Sequence, residues 1–336
     1  MPAVGAGSPS LFAVAAFAAT VVLACPQRFE SNSMRILLTG TSGQVGGALL
    51  PRLRSFGQVI APDETELDLT QPISISRILD QSSPDLIINP AAYTAVDKAE
   101  DEPELARRVN AEGPAVIARW AALRSVPLIH FSTDYVFNGA GDRAWREDDE
   151  VQPLSVYGSS KLAGENAVRA AGGISLVIRT SWVYAARGAN FLRAITRLAQ
   201  ERKELRIVAD QIGAPTSAAV ISDGVIKMLS GGLDQFRSRC GETKGLVNLV
   251  ASGETSWHGF ASAIVEGLKE RNVVLAVEHV RPITSADYPT RAARPHNSRL
   301  DLARLHNVFG ITTPHWRDAL APELDALAQE LAATPA

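Results

Sequence analysis

Cysteine, aromatic side chains and excess charge are all scarce in this chain. Only two of its 336 residues are cysteines, 6% are aromatic, and the formal net charge is −3. Cys25 and Cys240 are too far apart in sequence to suggest a disulfide framework or a metal knuckle. We therefore expect a reducing, cytoplasmic location. Without a basic excess, the chain lacks the field that duplex nucleic acid requires of a partner, and no metal site is predicted.

A long hydrophobic run is also missing. The most apolar segment, residues 11–25, has 15 residues, whereas a membrane-spanning helix needs about 20. Residues 1–10 contain no Lys or Arg, so the charged start of a secretory signal is absent. We predict that residues 1–33 are an extension that function does not need and that a membrane is not a partner. A targeting segment and an ordered accessory piece are the alternatives.

What the sequence does contain is a regular alternation of apolar and amphipathic segments after Met34. With 46% hydrophobic residues, the chain can fill one large or two modest cores. Ile-, Leu- and Val-rich runs that alternate with helical patterns predict an α/β fold with a Rossmann-type, doubly wound parallel sheet. The predicted strands are residues 35–39, 58–62, 86–89, 128–132 and 175–179. The predicted helices are residues 45–55, 73–81, 104–124 and 157–171.

The pattern changes after residue 181, where proline, glycine and loop signals become more frequent. We predict that residues 34–180 form a dinucleotide-binding Rossmann domain. Residues 181–336 are then mainly a smaller, C-terminal substrate-binding lobe, with some segments returning to the Rossmann domain.

A glycine-rich loop follows the first predicted strand and opens the first predicted helix. Its glycines, Gly40, Gly43 and Gly46, are spaced three residues apart. Gly40 suits a tight turn, Gly43 a close approach to a pyrophosphate, and Gly46 the packing of the helix against the strand. The helix N-terminus would then meet the phosphates. An ordinary glycine-rich turn is the alternative, because the spacing differs from the usual G-x-G-x-x-G.

An acidic residue is expected about 20 residues further on, where the second strand ends. Asp63 lies there, with Glu64 as a close alternative. A carboxylate at this place binds ribose hydroxyls and repels a 2′-phosphate, so it favours NADH over NADPH. A solvated turn residue is the other interpretation. Asp68 and Leu69 follow and can reach the adenine.

Tyr157 and Lys161 are four residues apart on a predicted helix, so they share one face. A free tyrosine, with a pKa near 10, is a weak acid-base catalyst at neutral pH. An adjacent ammonium favours the phenolate and lowers that pKa. The pair can therefore give a proton to a carbonyl oxygen as hydride reaches its carbon. A surface helix pair is the alternative.

Hydroxyl groups at the end of the strand 128–132 complete this candidate site. Thr133 is the first choice to bind a substrate carbonyl oxygen beside the tyrosine, and Ser132 is the second. Asp134 can accept hydrogen bonds from sugar hydroxyls, or it can serve as a cap.

Together these residues resemble the extended short-chain dehydrogenase/reductase family and, within it, the dTDP-4-dehydrorhamnose reductases. The resemblance runs from Met34 to about residue 325. It is carried by a position-ordered set of segments: residues 43–46, 91–100, 132–137, 179–184, 190–191, 210–216 and 294–298.

The resemblance implies roles for individual residues. Thr133, Tyr157 and Lys161 would be catalytic, and Thr133, Asp134, Tyr157 and Trp182 would contact a dTDP-sugar. Trp182 would lie beside the sugar, with a core tryptophan as the alternative. Arg294 and Asn297 would help to hold the nucleotide diphosphate. The dinucleotide would be held by Gly40, Gly43, Gln44, Val45, Gly46, Asp63, Asp68, Leu69, Ala92, Tyr93, Thr94, Tyr157 and Lys161.

The resemblance also implies an activity. Relatives reduce the 4-keto group of dTDP-4-dehydro-6-deoxy-L-mannose to give dTDP-L-rhamnose, with NADPH or NADH. Some form a homodimer with the help of Mg²⁺. Two alternatives stay open: a non-catalytic regulatory subunit of the methionine adenosyltransferase type, and a reductase or epimerase of another nucleotide sugar.

Overall fold

The computed structural model describes residues 33–333, and the predictions for residues 1–32, including Cys25, lie outside this range. The strands are β1 Met34–Leu38, β2 Gly57–Ile60, β3 Leu86–Asn89, β4 Leu128–Thr133, β5 Ser175–Thr180, β6 Val183–Tyr184, β7 Glu204–Val208, β8 Ile212–Gly213, β9 Thr216–Ser217, β10 Leu246–Asn248, β11 Thr255–Ser256 and β12 His279–Ile283. The helices are α1 Gln44–Leu53, α2 Pro72–Ser82, α3 Val96–Ala99, α4 Pro103–Arg107, α5 Gly113–Leu123, α6 Val156–Ala170, α7 Phe191–Glu201, α8 Ala218–Leu229, α9 Gly232–Glu242, α10 Trp257–Glu270, α11 Ala303–Phe309 and α12 Trp316–Ala333.

The central sheet has six parallel strands in the order β10-β5-β4-β3-β1-β2. This confirms the predicted Rossmann-type sheet, and the five predicted strands are all present with ends shifted by at most two residues. The chain leaves β1 for β2 on one side and then crosses to β3 on the other. The carboxyl ends of β1 and β3 therefore flank the point where the winding reverses, which is where such sheets bind ligands.

Nearly every residue of the inner strands is buried, because both faces of the sheet are covered. Alternate residues feed two different cores, as the two-residue period of a strand requires. Leu86 and Ile88 of β3 pack in one core with α1, α8, α9 and α11. Ile87, between them, packs in the other core with α2, α5 and α6. This arrangement explains why the strands read as continuous apolar runs.

The predicted helix 104–124 is interrupted. It consists of α4, a π-helical segment over Arg108–Glu112, and α5. Pro114, two residues after this segment, has no N–H to donate to the carbonyl oxygen of Asn110, so the regular i to i−4 ladder cannot continue through this turn. The helix thereby widens where Asn110 faces helix α6.

After residue 181 the chain contributes to two regions. Strand β10 joins the edge of the central sheet beside β5, and α8, α9 and α11 cover one face. The remaining helices, α7, α10 and α12, enclose a separate hydrophobic cluster with β7 and β12, which pair in parallel. Within residues 33–333, no helix combines the length and apolar character needed to cross a membrane.

Candidate functional site

A cavity of about 820 Å³ lies at the carboxyl ends of the central strands. The glycine loop after β1, the loop after β3 and the ends of β4 and β5 form its walls. Most of the site residues predicted from the sequence line it, although they come from distant parts of the chain. They are Gly40, Gly43, Gln44, Val45, Gly46, Asp63, Asp68, Leu69, Ala92, Tyr93, Thr94, Thr133, Asp134, Tyr157, Lys161 and Trp182.

The glycine loop is shaped by its own main chain. Gly40 has φ +59°, and a Cβ there would lie 2.9 Å from the backbone of Ala91. A Cβ on Gly46 would overlap the carbonyl oxygen of Gly40. Gly46 therefore permits contact with the loop itself rather than with the strand, which corrects the expectation for this residue. Gly43 precedes the first turn of α1 and provides no capping side chain, so N–H groups of that turn stay available for an anion.

Asp63, Glu64 and Asp68 give one end of the cavity an acidic character, and Asp63 is the first of them in the chain. Its Oδ1 accepts hydrogen bonds from the amide of Thr65 (2.9 Å), the hydroxyl of Thr65 (2.7 Å) and the amide of Glu66 (2.9 Å). These bonds lower the pKa of the carboxyl group. Asp63 is thus a turn residue and a cavity residue at once, because only one of its oxygens is used by the turn. Lys161 is the only Lys or Arg among the described residues that line the cavity.

Tyr157 and Lys161 lie in the first two turns of α6, which is capped by Ser155. The Nζ of Lys161 donates to the carbonyl oxygen of Phe131 at 2.7 Å. Burial lowers the pKa of Lys161 to about 8 and raises the pKa of Tyr157 to about 12. We expected the ammonium to lower the pKa of the tyrosine, but burial raises it, and the lowering influence comes from a hydrogen bond with Thr133 instead of from Lys161. Tyr157 therefore carries its proton at neutral pH.

Thr133 and Asp134 lie beside the tyrosine at the end of β4. The Thr133 hydroxyl donates to Oδ1 of Asp134 at 3.1 Å and accepts from the amide of Tyr135 at 3.2 Å. Thr133, rather than Asp134, is thus the residue that caps the short helical turn that follows. Burial raises the pKa of Asp134 to about 6.

Several buried polar atoms at the cavity have no protein partner within residues 33–333. They include Oγ of Ser132, Oγ1 of Thr180 and Oε1 of Gln44. Buried polar atoms are rarely left unsatisfied in a native protein unless water or a ligand pairs with them. The cavity therefore fits a polar ligand at both its glycine-loop end and its β4–β5 end.

Trp182 follows β5 in a left-handed backbone conformation, with φ +49°. Only 9% of it is exposed, yet it lines the cavity. Its ring stacks on Trp257, with the centroids 3.6 Å apart and the planes 11° from parallel. Sequence reasoning missed Trp257, since a single tryptophan at the start of a helix carries no signal of its own.

Asn110 was also missed, as its position in an Ala-rich helical stretch gives no hint of a site. Its Oδ1 accepts from the amide of Tyr93 at 2.8 Å, and its Nδ2 donates to the carbonyl oxygen of Tyr93 at 3.0 Å. The same Nδ2 donates to the hydroxyl of Ser160 at 3.0 Å. Asn110 therefore ties the loop after β3 to helix α6, which contains Tyr157 and Lys161.

Two predicted residues are not among those that line the cavity. Arg294 forms a two-bond ion pair with Asp97, at 2.8 and 3.1 Å. Asn297 is 1% exposed, and its Nδ2 donates to the carbonyl oxygen of Arg143 at 2.7 Å. Both side chains are engaged in holding loops, so the structure does not place them with the other predicted residues. Within residues 33–333, no group of three or more His, Cys, Asp or Glu residues is arranged to hold a metal ion.

The chain matches a family model described as the RmlD substrate binding domain over residues 34–329. It is 45% identical to a dTDP-4-dehydrorhamnose reductase of Burkholderia thailandensis over 291 residues, which cover 85% of this chain and 97% of that protein. It is 40% identical to the Escherichia coli (strain K12) protein of the same name over 298 residues, which cover 88% and 98%.

Solved structures agree with these relatives. A dTDP-4-dehydrorhamnose reductase from Clostridium acetobutylicum superposes with a TM-score of 0.79 at 34% identity and covers 88% of this chain and 99% of its own. One from Bacillus anthracis, in complex with NADP, gives 0.78 at 32% identity and covers 87% and 99%. The resemblance inferred from the sequence is confirmed, and the chain belongs to the RmlD substrate binding domain family.

Proposed function

We propose that this protein reduces the 4-keto group of dTDP-4-dehydro-6-deoxy-L-mannose to give dTDP-L-rhamnose, with a reduced nicotinamide dinucleotide. The observation that carries this proposal is that Tyr157, Lys161 and Thr133 line the same cavity as the glycine loop. The named relatives support the substrate, because their matches cover 85% and 88% of this chain and nearly all of their own length.

The residues of the cavity fit a dinucleotide. The first turn of α1 offers N–H groups to a pyrophosphate, and Gly40 leaves room where a Cβ would collide with Ala91. The buried Oε1 of Gln44 has no hydrogen-bond donor within residues 33–333 and could accept one from the cofactor. Asp63, Asp68 and Leu69 would hold the adenosine end, and Ala92, Tyr93 and Thr94 would flank the middle of the cofactor. The reduced nicotinamide supplies the hydride that the keto carbon receives.

Residues of the protein supply the proton that the substrate oxygen needs when the keto group becomes an alcohol. Tyr157 holds its proton at neutral pH, so it can donate that proton to the substrate oxygen as the carbonyl becomes an alcohol. Thr133 would orient the carbonyl by turning its hydroxyl hydrogen from Oδ1 of Asp134 to the substrate oxygen, which gives that oxygen a second hydrogen bond. The Lys161 ammonium stabilises the phenolate that Tyr157 becomes, and solvent returns the proton afterwards. Asp134 would accept hydrogen bonds from sugar hydroxyls.

We propose that the protein accepts both cofactors, with NADH favoured. Asp63, Glu64 and Asp68 line the cavity, whereas Lys161 is the single Lys or Arg among its described lining residues. A 2′-phosphate would meet carboxylates at the adenosine end. This preference differs from what the NADP complex of the Bacillus anthracis relative would suggest.

The domain organisation, oligomeric state and location remain predictions. We propose that residues 34–180 bind the cofactor and that residues 181–336 contribute mainly to the sugar nucleotide site. A homodimer is expected by resemblance to the family, and Mg²⁺ in its assembly rests on that resemblance alone. Cys240 is a free, buried thiol, and a cytoplasmic location is proposed from the cysteine content.

The direct test mixes the purified protein with dTDP-4-dehydro-L-rhamnose, generated in place, and follows NADH and NADPH absorbance separately. We expect oxidation of the cofactor with dTDP-L-rhamnose as the product. Tight cofactor binding without oxidation would contradict the proposal and would favour a regulatory subunit or a different nucleotide sugar.

A further inference from the structure

The stacked indoles of Trp182 and Trp257 form an aromatic wall at the cavity. The proposed function assigns no role to Trp257. We propose that Trp257 determines specificity for the sugar by presenting an apolar surface to the deoxygenated part of a 6-deoxyhexose. This inference rests on the function proposed above. It concerns the sugar alone, not the nucleotide or the cofactor.

The wall is assembled from three separate segments of the chain. The amide of Thr216 donates to the carbonyl oxygen of Trp182 at 3.1 Å, which anchors the left-handed residue. Strand β8, which contains Gly213, pairs antiparallel with β11, which leads directly into Trp257. A Cβ on Gly213 would lie 2.8 Å from Cε2 of Trp182. The fold thus uses a strained residue and a glycine to bring the two rings together.

Trp257 is the more accessible ring of the pair. Trp182 is buried, whereas Trp257 is half-buried, and both line the cavity. The Nε1 of Trp257 donates to Oε1 of Gln211 at 3.2 Å. Phe191 packs against the same indole, with centroids 4.6 Å apart. With its only donor used and its orientation fixed on two sides, Trp257 can offer a ligand only its ring carbons.

Such a surface suits a sugar that carries a methyl group in place of a hydroxyl. Aromatic carbon gains free energy by covering apolar surface, whereas a hydroxyl placed against it would lose its hydrogen bonds to water. The catalytic hydroxyls of Thr133 and Tyr157 line the same cavity and remain available for the polar part of the sugar. In this proposal, residues of β4 and α6 recognise the polar part of the sugar, and Trp257 of α10 recognises its apolar part.

The test compares the binding of dTDP-L-rhamnose with that of dTDP, by titration calorimetry, in wild type, Trp257→Ala and Trp257→Phe. We expect Trp257→Ala to weaken dTDP-L-rhamnose binding about tenfold or more, since a large buried aromatic contact is lost. Binding of dTDP should not change. The dTDP-L-rhamnose affinity of Trp257→Phe should lie between those of wild type and Trp257→Ala. In turnover by the variants, the KM for the keto sugar should rise by a larger factor than kcat falls.

Folding is checked independently. Circular dichroism should show the coupled signal of two stacked indoles in wild type and its loss in both variants, while NADH binding is kept. Trp316→Phe is the matched control, because Trp316 is 2% exposed in the hydrophobic cluster beneath α10 and is not among the cavity residues. It should leave both affinities unchanged.

The outcomes separate the two proposals. If wild type does not bind dTDP-L-rhamnose, the proposed function is wrong. If wild type binds it and Trp257→Ala binds it equally well, the role of Trp257 is wrong. Equal loss of dTDP and dTDP-L-rhamnose affinity would also overturn it, because the residue would then serve the nucleotide or the fold.

Discussion

The two sides of the cavity are built by different means. The cofactor side is formed by main chain: a loop of consecutive residues, 39–46, turns at Gly40 and opens a helix whose first residues line the cavity. The aromatic side is made of side chains, and its two stacked rings come from residues 75 positions apart in sequence (257 − 182). A site made by a continuous backbone motif can be recognised in a sequence, whereas a site made by side chains from distant segments cannot.

Tyr157 and Lys161 line the same cavity, and the catalytic role that we propose for the tyrosine provides the sharpest test. Tyr157→Phe removes the proton donor and should lower kcat by about 10²- to 10⁴-fold, while NADH affinity is kept. Steady-state kinetics and a cofactor titration check this. Tyr184→Phe is the control, because Tyr184 is buried and its hydroxyl has no hydrogen-bond partner in the described structure. Unchanged turnover in Tyr157→Phe would remove the residue from catalysis.

The main-chain side is tested at Gly40. Gly40→Ala imposes a left-handed residue and a collision with Ala91, so NADH affinity should fall by well over tenfold. Gly172→Ala shares the positive φ, +72°, but has open space around it. This control should cost only about 1 kcal/mol of stability and no cofactor affinity. Equal effects of the two substitutions on cofactor binding would show that backbone strain, and not the cradle, is responsible.

The buried lysine predicts how stability depends on pH. The pKa of Lys161 is about 8 in the folded protein, below the ordinary lysine value of 10.5, so the unfolded chain binds more protons between these values. The free energy of unfolding should therefore rise as pH increases, by about 2 kcal/mol between pH 7 and 9.5 from this residue. The raised pKa of Tyr157 opposes this rise only above about pH 10. The buried Cys240 thiol, whose pKa is raised to about 12, opposes it from about pH 9, equally in wild type and in a lysine variant.

Chemical unfolding of wild type and Lys161→Met across that range measures the contribution. The variant should show a flatter dependence on pH by that amount. Lys227→Met, at an exposed lysine of α8, should follow wild type. If the free energy of unfolding depends on pH in the same way in wild type and Lys161→Met, the lysine is not desolvated in the folded protein.

The smallest effect is expected at the acidic end of the cofactor side. Asp63→Ala removes a carboxylate that faces the adenosine ribose in our proposal, so the ratio of NADPH to NADH efficiency should rise about tenfold. Activity measured with each cofactor gives the ratio. Asp234→Ala, at a side chain that is 97% exposed on α9, is the control and should leave this ratio unchanged. If Asp63 serves only its turn, Asp63→Ala should leave the efficiency with each cofactor unchanged as well.

The α/β fold, the five strands before residue 181, the glycine loop and the tyrosine–lysine pair could all be predicted from the sequence. These features depend on local patterns: apolar runs, glycine spacing and the four-residue repeat of a helix face. The sequence did not reveal the π-helical segment at Asn110 or the sixth strand, β10, which joins the sheet only because a distant segment completes its edge.

Tertiary structure alone decided the electrostatics and the aromatic wall. Burial, which a sequence does not display, raises the pKa of Tyr157 where the neighbouring lysine was expected to lower it. The Asp97 ion pair engages Arg294, although its motif had suggested a phosphate contact. Trp257 meets Trp182 only through the pairing of β8 with β11. Each of these outcomes depends on which distant segments come together and exclude water, and no local pattern specifies that.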